Sequence, residues 1–468
     1  MAAVAPAAAA KEGAFEGLEY NTGWGNEFAS EALEGALPEG QNSPQVCPYG
    51  LYAEQLTGTA FTAPRADNRR TWFYRIRPAA SHGAMKKVEY PFYKSNFGAE
   101  KVDPSQFRWK ALPLPEEGAS VNFIQGIKTM GGSGAPSVKT GLGIHVYSAN
   151  TSMGDSAFCN ADGDFLIVPQ QGVLRITTEM GKLKVSPKEI CVIQRGIRFS
   201  VDLDGPSRGY ICEVFQGHFV VPSLGPIGAN GLANPRDFKF PVAAYDDADK
   251  AFTVTQKFCG EMFEYEQGHS PFDVVAWHGN YCPFKYDLTR FNTMNSVSYD
   301  HPDPSIYTVI TAQTATPGTA VCDFVIFPPR WMAMQHSFRP PYYHRNTMTE
   351  FMGMIEGCYD AKVGFEAGGA SLHSCMTPHG PDKATFISAS SASMDPFKFD
   401  GGLAFMFESV FMCSVTDFSL TAPHLEADYT DVWKDMPKLF DPTKKVVAAP
   451  VADSGAGGAA AGSVYDKK

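Results

Sequence analysis

Apolar and polar positions alternate over short distances along most of this chain, and Gly or Pro interrupts the pattern about every ten residues. In the first half the runs are 141–147 (GLGIHVY), 163–168 (GDFLIV), 172–177 (GVLRIT), 181–185 (GKLKV), 190–193 (ICVI) and 209–214 (GYICEV). Short punctuated strands at that spacing predict a β-sandwich or jelly-roll barrel. Residues 18–79 are rich in Gly, Pro and Asn and read as an ordered, irregular wrap ending in a strand at 71–77 (TWFYRIR). Residues 222–270 read as mostly loop. Strand patterning resumes at 272–277 and continues through 295–299, 306–310, 321–327 and 402–409, and a short helical tail is expected around 431–436. The expectation is an all-β-dominated fold of two jelly-roll or β-sandwich units with long irregular loops and few short helices.

The ends differ from the rest. Residues 1–15 and 447–468 are dominated by Ala and Gly and read as flexible tails. Between them the division expected is a β domain at 16–289 and a second at 290–446. The hairpins of the first unit resemble those of a cupin barrel, so two such units would make a bicupin. Where a metal-binding cupin would place a histidine, the first unit reads 194–199 (QRGIRF), and it is expected to be metal-free.

Composition narrows the function classes. Hydrophobic residues make up 44% and charged residues 19%, the balance of a folded globular protein. No apolar run approaches the ~18 residues of a membrane span. A formal net charge of −11 with no basic stripe argues against nucleic acid. It also means that an anionic substrate would need a local positive field. The ten cysteines are scattered with no C-x-x-C, which suits a reduced, intracellular protein. The first fifteen residues have no basic n-region and no arginine, so the expected location is cytoplasmic.

The candidate chemistry lies in 342–350 (YYHRNTMTE) and 376–382 (MTPHGPD). His344, Glu350 and His379 supply two imidazoles and one carboxylate, the facial ligand set of non-haem Fe(II) oxygenases. Prolines at 340 and 341 favour extended backbone, placing His344 at a strand entrance, and Glu350 opens a strand whose even positions share a face. The H-x5-E-x6-G spacing resembles the first cupin motif, with Tyr342 in place of its leading histidine. A zinc site with three ligands and a water is the competing reading, because residue types alone separate the two metals poorly. His301, between Asp300 and Pro302, has an unperturbed pKa suited to taking a phenolic proton, but such a histidine equally suits a simple turn.

Segments 41–56 (QNSPQVCPYGLYAEQL), 224–237 (LGPIGANGLANPRD), 275–280 (VAWHGN) and 339–346 (RPPYYHRN) closely resemble the homogentisate 1,2-dioxygenase family, in one colinear order from about residue 18 to 443. The resemblance implies Fe(II) held by His344, Glu350 and His379, with His301 as general base. It gives Tyr359 the substrate carboxylate and places His379, Ser296 and His373 at the substrate. The substrates implied are homogentisate and O2, and the assembly implied is a homo-hexamer built from trimers. Glu356 departs from family members with a basic residue there; about 20 Å of strand from Glu350 should keep it away from the substrate carboxylate. A zinc-dependent hydrolase or isomerase, or a non-catalytic cupin of the binding or storage kind, are the other classes open to this ligand set.

Overall fold

The computed structural model describes residues 14–444 apart from 224–232, 294–306, 333–337, 340, 360, 394 and 396. Among these residues the fold is built from strands, with two short α-helices at Lys383–Ala389 and Asp417–Thr421. The expected helical tail is a 3-10 turn at Tyr429–Trp433. The sequence-predicted run 295–299 lies outside the described residues.

The first unit is a sandwich. Its nine-stranded sheet centres on Asp164–Gln171, Ser207–Val214 and Thr140–Ala149. A facing seven-stranded sheet centres on Arg198–Leu203, Ser156–Asn160 and Phe252–Phe258. Phe158, Phe165 and Phe199 meet between the sheets, with Phe158 and Phe165 stacked at 5.9 Å.

The segment expected to be loop holds a hairpin, Phe252–Phe258 pairing with Glu261–Gln267. Cys259 and Gly260 turn it with φ of 56° and 80°, the pair of left-handed residues a two-residue hairpin needs. Cys-Gly is not one of the usual turn dipeptides, and that hid the hairpin in the sequence.

The first unit also buries charge. The Lys257 ammonium lies 2.6 Å from Glu213 and 2.7 Å from Asp162, and Arg195 and His218 both reach Asp164. These contacts neutralise carboxylates that could not otherwise stay ionised in an apolar core.

The second unit is a seven-stranded sheet in the order Phe219–Val220, Thr308–Gln313, Ala320–Phe327, Gly402–Ser409, Thr349–Gly357, Ala370–His373, Phe107–Trp109. A two-stranded ribbon, Arg330–Met332 with Phe397–Phe399, stands beside it. Both edges of the large sheet come from the first half of the chain. In return Ser414–Val415 extends the nine-stranded sheet of the first unit by pairing with Ile127–Ala135.

On the Thr349–Gly357 strand, Phe351 and Ile355 face a core continuous with that of the first unit. Met352 and Met354 face the other way, into a smaller cluster with Tyr307, Val325, Phe365, Ala404 and Met406. Glu350 shares that second face, so strand alternation alone turns it away from the main core.

Candidate metal centre

Glu350 sits on one rung of the second sheet. The rung runs Asp323, Glu408, Glu350, His373 across four strands, each residue opposite the next. His344 and His379 belong to irregular segments that meet in an isolated antiparallel bridge, His344 N–H to His379 O at 2.9 Å and His379 N–H to His344 O at 3.1 Å. That bridge brings the two rings to 4.3 Å between centroids. His344 therefore stands at the entrance to the Thr349–Gly357 strand, where its prolines were expected to put it, and His379 comes from a facing segment.

Each imidazole is oriented in the same way. His344 Nδ1 bonds the Tyr342 carbonyl at 2.8 Å, and His379 Nδ1 bonds the Thr377 carbonyl at 2.9 Å. A carbonyl only accepts, so both Nδ1 atoms carry a proton, and in the neutral ring each Nε2 has a lone pair that a cation could take up. His379 Nε2 is 3.0 Å from Glu350 Oε2, and His344 Nε2 is 3.6 Å from Oε1. The three ligand atoms all lie within 4.8 Å of one another. Two atoms each about 2.1 Å from a shared metal, at a right angle, stand about 3 Å apart. A divalent cation fits with small side-chain adjustments.

Electrostatics favour the same occupant. Burial opposes ionisation of Glu350, but hydrogen bonds from His344 and His379 outweigh it and hold the carboxyl well below its usual range. The Glu350 hydrogen bond raises His344, against the opposing effect of burial. Without a metal His344 thus shares a proton with the carboxylate, and a cation would replace it.

Of the surrounding groups, Asn346, Lys362 and Tyr429 were not legible in the sequence. Asn346 Nδ2 donates to Glu350 Oε1 and to Glu408 Oε1, both at 2.9 Å, while its Oδ1 accepts from the Met348 N–H at 3.0 Å. Lys362 is buried, and burial pushes its ammonium down to about 7. Its Nζ lies 2.8 Å from His373 Nε2, and the Tyr429 hydroxyl is 3.1 Å from the same nitrogen. His373 stacks on His379 at 4.4 Å, and its Nδ1 faces Glu350 Oε2 at 3.8 Å. Burial, then Lys362, holds His373 well below the usual range.

Of the sequence-predicted site residues, the structure brings together His344, Glu350, His379 and His373. His301 and Ser296 lie outside the described residues. Tyr359 follows Gly357, seven residues beyond Glu350 and roughly 23 Å along the strand; its ring packs on Phe327 and Phe365. Glu356 is exposed and pairs with Lys188 of the first unit.

His344 and His379 form part of the wall of a solvent-open cavity of about 670 Å³, with Tyr343, Arg345, Trp433 and Met436. Trp433 is fixed there by donation from its indole N–H to the Pro381 carbonyl at 3.0 Å.

Two family models match the chain: homogentisate 1,2-dioxygenase N-terminal over residues 19–288 and homogentisate 1,2-dioxygenase C-terminal over 289–440. A homogentisate 1,2-dioxygenase of Drosophila melanogaster is 56% identical over 436 residues, spanning 91% of this chain and 99% of the relative. Among solved structures, a cupin 2 conserved barrel domain protein from Leptotrichia buccalis overlaps at a TM-score of 0.28 with 10% identity, over 63% of this chain and 91% of its own. A variant of Bacillus subtilis oxalate decarboxylase overlaps at 0.27 with 11% identity, over 77% and 87%. Overlaps that loose carry no argument about function.

Proposed function

The chain belongs to the homogentisate 1,2-dioxygenase family, and on that premise we propose that it cleaves the ring of homogentisate with O2, using Fe(II) held by His344, Glu350 and His379. The reaction is of the extradiol type. The ring bond beside the carboxymethyl-bearing carbon breaks, both oxygen atoms enter the product, and maleylacetoacetate results.

Bound there, Fe(II) would offer open coordination positions to O2 and the ring and relay electrons from the ring to O2. The chain's own groups do the rest. Carbonyl-anchored imidazoles keep their lone pairs on one side, and Glu350 offers its second oxygen there while Asn346 occupies the first. His373, held by Lys362 and Tyr429, backs His379 and closes the buried side against water. His301 is assigned the ring-hydroxyl proton on the family resemblance, which also places Ser296 and His373 at the substrate. Tyr359 is assigned the substrate carboxylate on the same basis. The resemblance also implies a homo-hexamer built from trimers. The reading includes a metal-free first domain at 16–289, a catalytic domain at 290–446 and a cytoplasmic location. No helix among the described residues is long and apolar enough to cross a membrane.

The observation that carries the proposal is the family match over nearly the whole length of a 56% identical relative, joined to the His-Glu-His group. The test is anaerobic reconstitution with Fe(II) followed by O2 uptake with homogentisate. One O2 consumed per maleylacetoacetate formed is expected; equal turnover with Zn(II), or none with Fe(II), would sink it.

A further inference from the structure

The second sheet ends on a strand from the first half of the chain, Phe107–Trp109, antiparallel to Ala370–His373. Antiparallel pairing brings the residues just before one strand alongside those just after the other. Residues 104–106 therefore meet 376–379, the segment that carries His379. Alternation along the strand divides its side chains. Phe107 and Trp109 pack on the main core, and Gln106 and Arg108 turn the other way, with Arg108 over the Tyr429 ring at 4.7 Å.

The contacts at this meeting are specific. The Asp103 carboxylate accepts the Ser105 N–H at 2.8 Å and sets a turn around Pro104. The Pro104 carbonyl accepts the Thr377 hydroxyl at 2.8 Å, across 273 residues of chain. Thr377 is held again through its N–H, which donates to the Ser374 carbonyl at 2.9 Å. Its own carbonyl is the one that takes the His379 Nδ1 proton. The Gln106 amide donates to the carbonyl of Pro378, the residue between, which is its one hydrogen-bond partner among the described residues. The bridge to His344 thus holds the His379 segment from within the second unit, and 104–106 holds it from the first half.

We infer that the Pro104 carbonyl and Gln106, acting through Thr377 and Pro378, position His379 for the metal. The first half of the chain, which contributes none of the three ligands, sets the aim of one imidazole. The inference rests on the His-Glu-His group being a metal centre. An imidazole whose acceptor carbonyl can swing must be ordered again when a cation binds, and that cost appears as lost affinity. Thr377 and Gln106 act through His379 and are positioning residues.

The experiment measures Co(II) affinity of the full chain by competition with a chromophoric chelator, together with the visible absorption of bound Co(II), which reports ligand geometry. Thr377→Val keeps the shape and removes the hydroxyl; Gln106→Leu removes the amide. Both bonds lie at the solvent edge, where water can replace a lost partner, so each corresponds to roughly two- to threefold in affinity. Each variant is expected to weaken Co(II) binding by that factor, and the double variant by about five- to tenfold, with shifted visible bands. Thr377→Ser, which keeps the donor, should restore the affinity and bands of the parent. Parental affinity and bands in the folded double variant, whatever its thermal midpoint, would mean that 104–106 only braces the fold, and overturn the inference. A Thr377→Ser as weak as Thr377→Val overturns it too. Either result leaves the metal centre itself standing, whereas a parent that takes up no Co(II) overturns both.

Discussion

The Asn346 amide nitrogen donates to two carboxylates at once, on neighbouring strands and 2.9 Å from each. Glu350 and Glu408 are cross-strand partners, and without a donor between them two anions would face each other on one rung. Asn346→Leu removes that donor. We expect metal affinity to fall by about 10- to 100-fold, as for other groups that orient metal ligands, read by competition with a chromophoric chelator under anaerobic conditions. His301→Asn should behave in the opposite way, retaining iron and losing most turnover; loss of iron there would make His301 a ligand or a support. The ligand set itself was legible, because two imidazoles and a carboxylate in one short stretch are chemically unusual. Asn346, Glu408 and Lys362 were not. An amide or an amine acquires its role only when strand register sets it beside a particular carboxylate or imidazole, and register between distant segments cannot be read from spacing.

On the Thr349–Gly357 strand the metal ligand is the first inward residue of a face that turns apolar immediately, at Met352 and Met354. Gly353, on the opposite face, is where the strand is thinnest. A Cβ there would stand 2.3 Å from Phe405 Cε1 and 3.1 Å from Tyr210 Cε1. Phe405 belongs to the paired strand and Tyr210 to the first unit, so neither is the free end of a flexible chain. Gly353→Ala should therefore overpack the seam between the units and destabilise by about 1–3 kcal/mol, seen as a lower thermal midpoint with the metal content of the folded fraction unchanged. An unaltered midpoint would mean that the seam can relax. Strands such as Gly402–Ser409 were legible to the residue, since a bounded apolar run fixes both type and limits. The Phe252–Gln267 hairpin was not, its left-handed turn being carried by a cysteine.

Across the whole molecule, buried charge is concentrated in the first unit. Burial opposes the ionisation of Glu213 and Asp164, yet Lys257 and His145 around the one, and His218 and Arg195 around the other, bring both carboxyls down to about 2. Unfolded carboxyls titrate near 4. A depressed folded value contributes stability that is fully present above the unfolded one and is lost as pH falls through the folded one, here between about pH 4.5 and 2. Each group should contribute on the order of 2–3 kcal/mol at neutral pH. The thermal midpoint should thus fall steeply below pH 4.5, and Glu213→Gln should be less stable at pH 7 with a shallower acid limb; a parallel limb would assign the acid sensitivity elsewhere. None of this pairing was visible along the chain, where Lys257 and Glu213 stand 44 residues apart. Nor was the exchange of edge strands, which sets Trp109 opposite Ala370. That exchange has a consequence for biosynthesis. At about 5–20 residues per second, the ribosome completes the partner of Trp109 tens of seconds after Trp109 itself emerges. For that interval the nascent first unit presents an unpaired strand edge bearing Phe107 and Trp109, a natural target for chaperone capture during translation.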